Sequence, residues 1–188
     1  MTAPVKLSHY VLQTNQITAM RDWYCMVLEA DVVHENDMIC FLSYDDEHHR
    51  IAFLNPGPLD RREPAKNALR AGEQPGLHHA AFTFANLAEL LAAWERAKAQ
   101  DVTPHWCINH GPTTSMYFRD PDGNGVELQV DNFADLADCK AFMQGPEFAS
   151  NPIGIEFDPE DHARRLRAGV AERDLLDRSK LAKSLQMA

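Results

Sequence analysis

The alternation of apolar and polar positions along the chain lays out one order of elements twice. From Lys6 to Gln13 the pattern has a period of two. Leu7, His9 and Val11 share one face, Ser8, Tyr10 and Leu12 the other, as a half-buried strand requires. Ile17 to Leu28 changes period, with apolar residues at 17, 20, 23, 24, 27 and 28, the spacing of a helix. Short strands are expected around Ala30–His34, Met38–Tyr44 and His49–Leu54, with Asp45-Asp46-Glu47 turning between the last two. The order then restarts. Leu77 to Phe84 alternates, placing His79, Ala81 and Thr83 opposite His78, Ala80, Phe82 and Phe84. Asn86 is the expected cap of a second helix, with Glu89 at the capping-box position and Leu87, Leu90, Leu91 and Trp94 as its buried stripe. Strands follow near Thr103–Asn109, Ser115–Arg119 and Gly125–Val130. Strand, helix and three strands thus occur twice, a repeat of architecture with little residue identity behind it.

Two stretches stand outside the repeat. Pro56 to Pro75 carries Gly57, Pro58, Pro64, Gly72, Arg61, Arg62, Lys66 and Arg70 with weak periodicity. It reads as a long connection with one helical turn near Ala65–Arg70, either a linker or a flap over a site. Asp131 to Ala188 forms a third region. Phe133, Phe142 and Phe148 are its apolar anchors, Asn151-Pro152-Ile153-Gly154 is a turn signal, and Asp161 to Gln186 is charged and helical at its start. The expected organisation is α+β: one domain over residues 1–132 and a partly helical C-terminal extension over 133–188. The domain divides into a first module (5–55), the connection (56–75) and a second module (76–132). The extension is expected to wrap the domain or a partner subunit.

Composition narrows the partners. With 188 residues and 45% hydrophobic content, one compact core is within reach. A formal net charge of −10 argues against nucleic acid or an anionic membrane surface. No apolar run would span a bilayer, and Met-Thr-Ala-Pro-Val-Lys lacks the apolar core of a secretory signal. Cys25, Cys40, Cys107 and Cys139 are far apart, without a Cys-x-x-Cys pair, which fits reduced thiols in the cytoplasm. The nine histidines are more telling, because several fall in strands.

The stretch from Tyr117 to Gln129 concentrates the chemistry. Asp120-Pro121-Asp122-Gly123 has the residues a tight turn demands. In the following strand Val126, Leu128 and Val130 share one face, Glu127 and Gln129 the other. Either that second face is solvated, or Glu127 is paired, hydrogen-bonded or metal-bound. Superposing the halves by their first strands sets His9 opposite His79, with Glu127 facing the same way on the last strand. Two imidazoles and a carboxylate suit a divalent first-row metal, and as a facial triad they suit Fe(II) oxygen chemistry. Aligning Arg50-Ile51-Ala52-Phe53 with Gly125-Val126-Glu127-Leu128 puts Ala52 where a fourth ligand would stand. Alanine cannot coordinate, so positions stay open for substrate.

Arg119-Asp120-Pro121-Asp122-Gly123-Asn124-Gly125-Val126-Glu127-Leu128, with Ser8-His9 and Gly76-Leu77-His78-His79-Ala80, resembles the vicinal oxygen chelate superfamily. That superfamily of paired βαβββ modules includes glyoxalases, bleomycin- and fosfomycin-resistance proteins and type I extradiol dioxygenases. The resemblance covers Lys6 to Asn132 and is greatest to the extradiol branch. In that branch a histidine before the last strand of the first half is the acid–base residue near bound oxygen, which here implies His49. Strict alternation puts His49 on the face of Ile51, so it serves from the turn, or His48 does so. A histidine before the final hairpin, matched by His110, contacts substrate. A tyrosine ten residues ahead of the ligand glutamate, here Tyr117, hydrogen-bonds the substrate oxygen. The resemblance thus implies a dioxygenase that opens a catechol-type aromatic diol with O₂. Its metal would be Fe(II), or Mn(II) as the alternative, on His9, His79 and Glu127. Exposed strand edges and the C-terminal segment point to a homodimer or higher homo-oligomer. A glyoxalase-like isomerase is the nearest rival, against which Ala52 counts. A bleomycin-resistance-like binding protein is the other, against which the ligand set counts.

Overall fold

The computed structural model describes residues 3–60 and 75–186. Most of the connection, including the helical turn expected at Ala65–Arg70, lies outside the described residues. The chain clusters into two compact units, Met1–Pro64 with Asp120–Asn124, and Ala65–Arg119 with Gly125–Ala188.

In the first unit the order is β1 (Tyr10–Gln13), α1 (Ile17–Leu28), β2 (Asp31–Glu35), β3 (Ile39–Ser43) and β4 (Ile51–Leu54). The sheet runs β1-β4-β3-β2, with β1 parallel to β4 and the other pairs antiparallel. Helix α1 has the expected bounds and buries Ile17, Met20, Trp23, Tyr24 and Val27. Strand β1 starts later than the alternation suggests. The Arg50 guanidinium donates to the carbonyls of Leu7 and Ser8 at 2.8 and 3.0 Å. A side chain thus satisfies backbone groups that would otherwise need a ladder partner. His9 consequently precedes the strand. The turn Asp120–Asn124 is held within this unit by Tyr24, whose hydroxyl donates to Asp120 Oδ2 at 3.1 Å.

The second unit repeats the order as β5 (His79–Phe84), α2 (Leu87–Lys98), β6 (Trp106–Asn109), β7 (Thr113–Arg119) and β8 (Gly125–Asp131). Asn86 caps α2 by accepting from the Glu89 amide at 2.9 Å. The expected stripe Leu87, Leu90, Leu91 and Trp94 is buried, together with Ala93 and Ala97. The sheet runs β5-β8-β7-β6, again with its first and last module strands parallel, and gains a fifth strand beside β6. That strand, β9 (Ile155–Glu156), comes from the extension. The extension otherwise forms α3 (Leu136–Met143), α4 (Pro146–Ser150), α5 (Pro159–Arg167), α6 (Glu172–Leu176) and α7 (Arg178–Gln186). Phe157, His162, Ala163, Leu175 and Leu181 of this region are buried. Among the described residues no helix is long and apolar enough to cross a membrane.

Candidate active site

Register, more than sequence distance, assembles the site in the second unit. Glu127 is level with Ala81 of β5 on one side and Tyr117 of β7 on the other, and Tyr117 is level with Trp106 of β6. Its neighbours Val126 and Leu128 are fully buried on the opposite face, the one that α2 covers. A row of side chains therefore crosses the sheet on the side away from α2. Glu127 is only 4% exposed, so it is not a solvated side chain, although Ala81 beside it on this face is exposed.

His79, at the start of β5, brings Nε2 to 2.8 Å from Glu127 Oε2. Gly125 permits this close approach of β5 and β8, since a Cβ there would stand 2.3 Å from the His78 carbonyl oxygen. The Tyr117 hydroxyl lies 3.0 Å from Glu127 Oε1. Burial raises the Glu127 pKa, but hydrogen bonds from His79, Ser115 and Tyr117 outweigh it and leave it below the usual value. Glu127 is thus a carboxylate at neutral pH. Burial, then the adjacent Glu127 charge, push the Tyr117 hydroxyl up, so it stays a phenol and a donor. Trp106 stacks on Tyr117 with centroids 5.1 Å apart and an interplanar angle of 29°. His110 follows β6 and sets Nε2 2.9 Å from the Tyr117 oxygen. Its amide donates to the Thr113 carbonyl, closing the β6–β7 turn. His79, Glu127, Tyr117 and His110 are therefore brought together in one hydrogen-bonded chain.

The first unit holds His9, His48 and His49, each able to present a nitrogen within 4.8 Å of the other two. The His9 and His49 rings lie 4.2 Å apart. His49 sits in the turn ahead of β4, as its alternation requires, stacked on Phe41 of β3 at 4.7 Å and 16°. His48 Nδ1 is 2.6 Å from His49 Nδ1. Burial first, then the imidazoles of His9 and His48, hold the His49 pKa below the ordinary histidine value. Ala52 pairs with Val11, two residues after His9, as Glu127 pairs with Ala81, two residues after His79. The registers thus give Ala52 in the first sheet the position of Glu127 in the second. Imidazole nitrogens and an ionised, buried carboxylate are the donors that a first-row divalent cation takes, so the three histidines of the first unit and the His79–Glu127 pair of the second each offer donors that fit a metal. Sequence reasoning missed Trp106 and Ser115, whose roles depend on the β6–β7 and β7–β8 registers.

The model of the Glyoxalase/Bleomycin resistance protein/Dioxygenase superfamily matches residues 6–128, and the chain belongs to that superfamily. Two curated relatives from Rhodococcus globerulus are similar over most of their length. Biphenyl-2,3-diol 1,2-dioxygenase 2 is 47% identical over 171 residues, covering 90% of this chain and 86% of the relative. Biphenyl-2,3-diol 1,2-dioxygenase 3 is 43% identical over 189 aligned positions, covering 100% and 95%. Among solved structures, the fosfomycin resistance protein FosX of Listeria monocytogenes has a TM-score of 0.54 at 20% identity, over 74% of this chain and 99% of that one. Lactoylglutathione lyase of Agrobacterium tumefaciens has 0.52 at 21%, over 69% and 96%. These two likenesses are of fold.

Proposed function

We infer that the chain is an extradiol ring-cleavage dioxygenase that opens a catechol-type aromatic with O₂. We propose His9, His79 and Glu127 as its metal ligands, with Fe(II) as the metal and Mn(II) as the alternative. The observation that carries the reading is the arrangement at Glu127, a buried ionised carboxylate with an imidazole on one oxygen and a phenol on the other. It is supported by two relatives named as dioxygenases of an aromatic diol, aligned over 90% and 100% of this chain.

When bound, the metal supplies charge stabilisation and a common anchor for diol and O₂. The chain's own residues supply the rest. Tyr117 hydrogen-bonds a phenolic oxygen of the substrate, and His110 backs Tyr117 and touches the ring. Trp106, stacked on Tyr117, adds an apolar surface that keeps water from the diol. His49 takes and returns the proton of a substrate hydroxyl. Ala52 brings no donor to the position that Glu127 fills in the second sheet, which counts against a four-ligand isomerase. A cytoplasmic homodimer belongs to the same reading. It is supported by four free cysteines and by the edge strand β2, which exposes Val32 and Val33.

The test is iron loading without oxygen, followed by biphenyl-2,3-diol and other catechols in air. A yellow ring-fission product is expected, with about one iron per chain bound as a facial triad binds it. His79→Ala should lose both. Full iron retention by that variant would remove His79 from the ligand set. Iron-replete protein that leaves every catechol intact would overturn the activity.

A further inference from the structure

The hydrogen-bonded chain does not stop at His110, because the extension holds that ring from behind. His110 Nδ1 is hydrogen-bonded to the Ile153 carbonyl, a group that can only accept. Nδ1 therefore carries the proton, and in the neutral ring Nε2 is bare and aimed at the Tyr117 hydroxyl, 2.9 Å away. The phenol hydrogen then has two acceptors at almost one distance, His110 Nε2 and Glu127 Oε1, the latter at 3.0 Å.

Several contacts hold the segment on either side of Ile153. Arg178 is 7% exposed, and its guanidinium donates to the His110 carbonyl at 3.1 Å and to the Asn151 carbonyl at 2.6 Å. Asn109, 1% exposed, donates its side-chain amide to the Leu176 carbonyl at 2.8 Å. Gly154, at φ +123°, passes so close to β6 that a Cβ would stand 2.3 Å from the Asn109 carbonyl oxygen. Strand β9 then pairs with β6 through Ile108 and Asn109.

We propose that the extension is a working part of the substrate wall. Ile153 fixes His110 as a hydrogen-bond acceptor toward Tyr117, and Arg178 is the positioning residue that keeps the Ile153 carbonyl in place. Tyr117 can then turn its hydrogen to His110 and offer its oxygen to a donor such as a substrate hydroxyl. The opposite tautomer would donate to Tyr117 and remove that option. The kinetic consequence rests on the ring-cleavage reading; the tautomer does not.

Metal-free protein labelled with ¹⁵N-histidine reads the tautomer at pH 8, with His110→Gln identifying the resonances. The native chain should show Nδ1 protonated and Nε2 bare. Arg178→Ala and the milder Arg178→Lys should return the ring to the tautomer mixture of free imidazole. A protonated Nε2 in the native chain overturns the proposal, as does a native tautomer persisting in both variants. In the iron-loaded enzyme, Arg178→Lys should lower kcat on the order of 10-fold, the lower end for an outer-shell partner. That loss should vanish in a His110→Gln background. A loss of the same size there would mean that Arg178 acts through the fold alone, which also overturns the proposal. Failure of the catechol chemistry would silence the kinetic arm and leave the NMR arm to decide.

Discussion

At Ala52 a methyl group stands at the register position that Glu127 fills with a carboxylate. Ala52→Glu should direct an anionic oxygen at the metal and occupy a position that diol or O₂ needs. Ring cleavage should then collapse while iron content holds or rises, a pairing that turnover and metal analysis together would detect. Thermal unfolding belongs beside them, because Ala52 is 3% exposed and an unpaired carboxylate there is costly. Near-native cleavage by this variant would refute the open position. Tyr117→Phe removes one donor to Glu127 and the link to His110. It should retain iron while losing activity by about 10–100-fold, as iron content and turnover will show. His79 and Glu127 were legible because strand alternation assigns faces and the Asp-Pro-Asp-Gly turn fixes the hairpin, whereas Tyr117 and His110 came only from the family resemblance. What lies behind His110 was not legible. A backbone carbonyl leaves no mark in sequence, and Arg178 is 68 residues from the His110 carbonyl it contacts.

Where stability is local, α1 was read to the residue and α2 to its cap and buried stripe. Helices α1 and α2 each carry an apolar stripe at 3.6-residue spacing, and α2 has its cap in Asn86. Asn86→Ala should cost about 1 kcal/mol and lower the melting temperature by about 2–4 °C. Circular dichroism melts would show it, and an unchanged midpoint would mean that tertiary packing alone holds the helix start. Elements whose limits depend on a distant partner were misread. The expected strand from Lys6 begins at Tyr10 because Arg50 claims the carbonyls before it. Strand β9 has two residues, too few for any period. It exists through its pairing with β6 and through Trp106 Nε1–H donating to Glu156 at 2.8 Å.

For the whole molecule, the extension is more than an appendage to a complete module. Ending the chain at Asn132 would remove the buried side chains of Phe157, Leu175 and Leu181 and leave β6 as an uncovered edge. Such a protein should aggregate, which light scattering and size-exclusion chromatography would report. A truncated chain that stays soluble and active would show the segment to be dispensable. The two sheets share a strand order, β1-β4-β3-β2 and β5-β8-β7-β6, and differ at the Ala52 and Glu127 position. Read as ancestry, this is the mark of a duplicated segment. The glutamate codons GAA and GAG differ from the alanine codons GCA and GCG only at the middle base, so a single point mutation can separate a copy that donates a carboxylate from one that does not. After such a duplication, the step between a crowded ligand set and one open to two guests is the smallest that heredity offers, and it is reversible.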